Sequence, residues 1–121
     1  MRTTALAALL LLASCARLPD PAALPGEYES ASAPATLTLR GGAWSLDSGG
    51  FVKSGVYDVS GDRVALVITE VSHPAFDRYC REEADVYEWS FEKDRLVLRV
   101  VGETCDPVGQ SVLTAGPWER A

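Results

Sequence analysis

The chain has 121 residues, a formal net charge of -6 and three cysteines. That length holds one domain and one hydrophobic core. Acidic residues outnumber basic ones 17 to 11, which argues against a grip on phosphate backbones, and 47% hydrophobic content argues against disorder.

The chain opens MRTTALAALLLLASC. Arg2 supplies a positive charge, and Ala5 to Ala13 is an unbroken apolar run of nine residues. A finished bilayer span needs about 20 apolar residues, so the run fits the core of a secretory signal instead. Leu12-Ala13-Ser14-Cys15 then resembles the bacterial lipobox, in which the cysteine is lipidated and becomes the new N-terminus. The expectation is a signal peptide over residues 1–14 and lipidation of Cys15, with the polypeptide held at a membrane only by its acyl chains. An ordinary secretory signal with an incidental Cys15 is the alternative. In a cell with two membranes, the lipoprotein reading implies an outer-membrane protein facing the periplasm. Residues 15–25 carry Pro19, Pro21 and Pro25 and read as a semi-extended tether.

From Gly26 the pattern changes to period two, and residues 26–121 are expected to form the folded domain. Gly26 to Ser30 offers a first strand. Leu37-Thr38-Leu39-Arg40 and Ala43-Trp44-Ser45-Leu46 flank Gly41-Gly42, a two-residue hairpin signal. That turn pairs Leu39 with Trp44 and Leu37 with Leu46, all on one face. Gly49-Gly50 is a further turn signal. A second hairpin turns at Gly61-Asp62 and pairs Val59 with Val64 and Tyr57 with Leu66. A third turns at Lys93-Asp94, pairing Phe91 with Leu96, Trp89 with Leu98 and Tyr87 with Val100. Its other face sets Glu92 against Arg95 and Glu88 against Arg99, and a one-residue slip would lose both the apolar face and the charge pairs. Ser111 to Arg120 is expected to hold the last strand, with Pro117 at an edge or bulge. The fold class expected is all-β: an antiparallel meander of about eight short strands closed into a small barrel, with a β-sandwich as the alternative. Pro74 to Glu83 is the one stretch with room for a helical turn or two.

Once Cys15 is assigned to the lipid, Cys80 and Cys105 remain. The third hairpin's register sets residue 105 across from residue 82, two positions from Cys80, so the cysteines meet at its open end. An oxidising compartment completes the expectation of a structural disulfide. The alternatives are a metal site or a reactive thiol, but two isolated cysteines and a distant His73 lack metal-ligand spacing.

The segment Tyr87 to Leu98 with its flanking cysteines resembles the small lipocalin-like, or calycin-like, β-barrel domains of bacterial exported proteins. Ser54-Gly55-Val56-Tyr57, Gly61-Asp62-Arg63-Val64, Ser111-Val112-Leu113-Thr114 and Pro117-Trp118-Glu119-Arg120 share the resemblance, which covers most of Gly26 to Arg120. It implies an antiparallel barrel, often with a small apolar ligand. The Gly-x-Trp near the first strand of lipocalins reads Gly26-Glu27-Tyr28 here.

No catalytic constellation is visible. His73 is the single histidine and has no evident nucleophile beside it. Glu82, Glu83 and Asp85 beside Arg78 and Arg81 read as a solvated charged loop. No nucleotide-binding glycine motif occurs, and neither a metal nor a cofactor is expected. Trp44, Tyr57, Tyr87, Trp89 and Phe91 fall on the inward face, with Trp118 a further candidate. They either line a ligand pocket or fill the barrel, since an eight-stranded barrel holds packed side chains or one small ligand. The expected function is a non-enzymatic, lipid-anchored envelope barrel holding a small hydrophobic ligand. A protein-interaction module, such as a lysozyme or protease inhibitor using loops Ser72 to Ala84 and Asp47 to Lys53, is the alternative, and a passive structural lipoprotein the third. No nucleic-acid partner is expected.

Overall fold

A computed structural model describes residues 20–72, 80 and 83–121. The expected signal peptide, Cys15 and most of the tether therefore lie outside the described residues, as do His73 and the possible helical turn over residues 74–79. Eight antiparallel strands close into a barrel in simple sequence order. They are β1 (Gly26–Ser30), β2 (Ala35–Arg40), β3 (Ala43–Ser48), β4 (Phe51–Ser60), β5 (Arg63–Val71), β6 (Ala84–Glu92), β7 (Arg95–Val100) and β8 (Trp118–Arg120). This is the all-β barrel expected, and it is compatible with a lipocalin-like barrel. The β-sandwich alternative falls because β1 pairs with β8, setting Tyr28 across from Arg120, so the sheet has no free edge.

All three hairpin registers stand as the alternation predicts. Leu39 pairs with Trp44, Tyr57 with Leu66, and Trp89 with Leu98. The Lys93-Asp94 turn keeps its two residues by placing both at positive φ, 51° and 64°, a conformation that side chains disfavour. The charge pairs follow the register only in part. Arg99 approaches Glu88 at 3.9 Å as expected, but it also meets Glu92 at 3.6 Å, while Arg95 turns to Glu119 on β8 at 3.8 Å. Closure brings β8 beside β7 and so offers Arg95 a partner that hairpin reasoning omits. These pairs are exposed and contribute little.

One expected element is corrected. Ser111 to Leu113 is not strand: a helix, α1 (Pro107–Leu113), precedes a three-residue β8. Asp106 caps it by accepting from the Gly109 N–H at 3.1 Å, and Pro107 occupies the first turn, where its missing N–H costs nothing. Leu113 faces the core, and its carbonyl accepts the Trp118 indole N–H at 3.0 Å. The Asp-Pro start signal therefore outweighs the β-propensity of Val112.

Meander topology gives the barrel two unlike ends. One end carries the tight turns at 41–42, 61–62 and 93–94. Buried Leu24 stands where β1 begins, and its carbonyl accepts the Tyr28 hydroxyl at 2.5 Å. The opposite end carries the longer connections, including α1 and the loops that hold Cys80 and Cys105.

Between the ends lies a core of Leu37, Leu39, Leu46, Val64, Leu66, Leu96 and Leu98 around Tyr28, Trp44, Tyr87, Trp89 and Trp118. Each indole N–H is satisfied by a carbonyl: Trp44 by Val67 at 3.0 Å, Trp89 by Gly61 at 3.1 Å, and Trp118 by Leu113. Trp can be buried this fully because its one polar group finds a partner.

Candidate functional site

The long-loop end holds an open cavity of about 310 Å³. Its walls are Ile68 and Val71 from β5, Lys53 from β4, Cys80, and the run Cys105-Asp106-Pro107-Val108 leading into α1. Cys80 and Cys105 form the expected disulfide, with Cα atoms 5.4 Å apart. The bridge is thus one wall of the cavity as well as a tie between two loops. Volumes of this size lie at the lower end of small-molecule sites.

Lys53 stands at this end by ordinary strand alternation. On β3–β4 it pairs with Leu46, whose side chain points into the barrel. Lys53 shares the parity of Gly55 and Tyr57 along β4, so the three face one side; the irregularity beside Ser54 and Gly55 is an extra residue, Thr69, on β5. Lys53 therefore presents an ammonium on the inner face. Its Nζ donates to both carboxylate oxygens of Asp106, at 2.8 Å and 2.7 Å, and the two side chains are only 12% and 15% exposed.

Asp85 stands directly behind the wall. It is 8% exposed, and its two oxygens accept from the backbone N–H groups of Cys105 at 2.8 Å and Asp106 at 3.1 Å. The carboxylate thereby fixes the chain just before α1. The solvated-loop reading is wrong for this residue. Asp85 shares the parity of Tyr87 and Trp89 and points inward with them. Buried Gly109 completes the corner, because a Cβ there would overlap the Asp106 carboxylate that caps the helix.

Two phenols report the electrostatics. Burial pushes the Tyr87 hydroxyl well above the ordinary tyrosine range, and the charges of Asp85 and Asp106 push it further the same way. Burial also raises Tyr28, against the opposing charge of Arg120, with a smaller upward contribution from Tyr57. The Arg120 guanidinium lies 5.0 Å over the Tyr28 ring and 5.3 Å from the Phe91 ring, while donating to the Pro25 and Ala23 carbonyls. That cluster locks the tight-turn end.

Comparison of the chain with protein-family models, curated proteins and solved structures finds no match.

The aromatic residues singled out from sequence divide between core and edge. Trp44, Tyr87, Trp89 and Trp118 are buried, and Tyr57 and Phe91 pack against the core from its margin. None of the six belongs to the wall of the mouth cavity. Trp89 and Phe91 instead border a shallower cleft at the tight-turn end, with Asp20, Asp62 and Glu88. Sequence reasoning places Asp85 in a solvated loop and Lys53 at the end of a contact loop, and gives Asp106 no role. The parity of the third hairpin marks Asp85, the Gly49-Gly50 turn extended by three pairs marks Lys53, and Asp106-Pro107 is a helix start. Among the described residues no group of three or more His, Cys, Asp or Glu side chains is arranged to hold a metal ion.

Proposed function

We propose that this chain is a lipid-anchored, non-enzymatic barrel of the bacterial cell envelope that holds a small, largely apolar molecule in the cavity at its mouth. The observation that carries the reading is the cavity itself: about 310 Å³, walled mainly by Ile68, Val71, Pro107, Val108 and the disulfide, with a part-buried ion pair at its polar edge. Apolar walls with few, placed polar groups are what small-molecule sites share. The anchor rests on the signal-like run ending in Leu12-Ala13-Ser14-Cys15. The likeness to lipocalin-like exported domains supports the same reading.

Titration with 1-octanol, followed by ¹H–¹⁵N NMR, tests the site. Shifts centred on Ile68, Cys105 and Val108, abolished by filling the cavity with Ile68→Trp, are expected. Absent shifts, or shifts indifferent to Ile68→Trp, would refute the site. For the anchor, a bacterial host expressing the full chain should incorporate labelled palmitate, and Cys15→Ser should abolish incorporation. Label retained in Cys15→Ser would refute the lipobox reading.

A further inference from the structure

We infer that the mouth cavity takes amphipathic molecules whose polar end is a protonated amine and discriminates against those ending in a carboxylate; this rests on the cavity being a ligand site at all. Among the described residues, three charged side chains set the field there: Lys53 and Asp106 in the wall, and Asp85 directly behind it. That is one ammonium against two carboxylates. The ammonium is matched, because Nζ donates to both oxygens of Asp106. Little water reaches the pair, so a further charge brought alongside is poorly screened.

Acceptor capacity points the same way. A carboxylate offers about four lone-pair sites. Asp106 receives the Lys53 ammonium on both oxygens and the Gly109 N–H on one, and Asp85 receives two backbone N–H groups. Asp106, which lines the cavity, therefore retains room for a donor. An arriving ammonium meets that capacity and an excess negative charge. An arriving carboxylate has to compete with Asp106 for Lys53 while facing two like charges. Burial is the main cause of the raised Tyr87 phenol, and the charges of Asp85 and Asp106 add to it in the direction this field requires.

The test compares 1-octylamine, 1-octanol and octanoate at neutral pH by calorimetry and NMR, three probes with one tail and different heads. Octylamine is expected to bind at least about tenfold more tightly than octanoate, with octanol between them. Asp106→Asn keeps a helix-capping side chain but removes the counter-charge of Lys53, so the preference should collapse or reverse. Lys53→Met should widen it, and carries the comparison alone if the Asn variant does not fold. Equal binding of all three heads would overturn the charge selectivity and leave the cavity reading intact. Binding of none would overturn both. An amine preference unchanged in both variants would overturn the assignment to these residues.

Discussion

Gly55→Ala tests whether barrel closure depends on a missing side chain. Gly55 lies on β4 beside the bulge, paired with Trp44 on one side and Ile68 on the other. A Cβ there would overlap the Val67 carbonyl oxygen, stand 2.8 Å from its carbonyl carbon and 3.0 Å from the Trp44 Nε1. The Val67 atoms are backbone, so no side-chain rotation relieves the clash, and β4 has to move away from β5. The same carbonyl oxygen accepts the Trp44 indole N–H at 3.0 Å, so the displacement also threatens that bond. Strain from overpacking costs about 1–3 kcal/mol and a buried, unpaired N–H about 1–3 kcal/mol, together about 2–6 kcal/mol. Against a typical stability of about 5–15 kcal/mol, that removes a large share. Urea unfolding followed by tryptophan fluorescence measures it. Trp44→Phe, which deletes the indole N–H, should cost less than Gly55→Ala. Because the two share one carbonyl, their effects should be non-additive in the double variant. A Gly55→Ala cost below about 1 kcal/mol, or strict additivity with Trp44→Phe, would refute the reasoning.

Four further outcomes are expected. Replacing both Cys80 and Cys105 by serine reopens a loop of 25 residues, which should lower stability by about 3.5 kcal/mol on the chain-entropy treatment and shift the cavity-wall amides; an unchanged urea midpoint would refute this. Asp85→Ala leaves the Cys105 and Asp106 N–H groups without their acceptor and should cost about 2–3 kcal/mol, with hydrogen exchange quickening first over residues 104–109; a loss under about 0.5 kcal/mol would contradict it. Lys93→Asn with Asp94→Gly should stabilise by about 1–2 kcal/mol, because both native residues sit at positive φ, and a lowered melting temperature would count against the turn. The Tyr87 phenol is raised above its ordinary value of 10.0 on folding, so the native state retains a proton that the unfolded chain releases. Stability is therefore full below pH 10 and declines as pH rises beyond it; Tyr87→Phe should flatten that alkaline limb, and an identical limb in the variant would refute the assignment.

Local patterns determined the strands and their registers. Alternation has a period of two, and a two-residue turn leaves one register that keeps Leu37, Leu39, Trp44 and Leu46 on a common face. The same arithmetic brings Cys80 within reach of Cys105. Closure was not legible in this way, because the pairing of Tyr28 with Arg120 joins residues at opposite ends of the domain and no local pattern encodes it. Closure in turn decided where Arg95 finds its partner.

The mouth site depended on tertiary structure for a different reason. Lys53, Asp85 and Asp106 come from β4, β6 and the start of α1, and each alone reads as an ordinary surface charge. Only the pairing of β4 with β3, the inward parity of β6 and the disulfide bring them to one end of the barrel. Sequence by itself determined which face of each strand is apolar, because burial acts on neighbouring residues through a fixed period. Which charges meet at the mouth was decided by tertiary structure alone, because that depends on distances across the barrel that a local period does not carry.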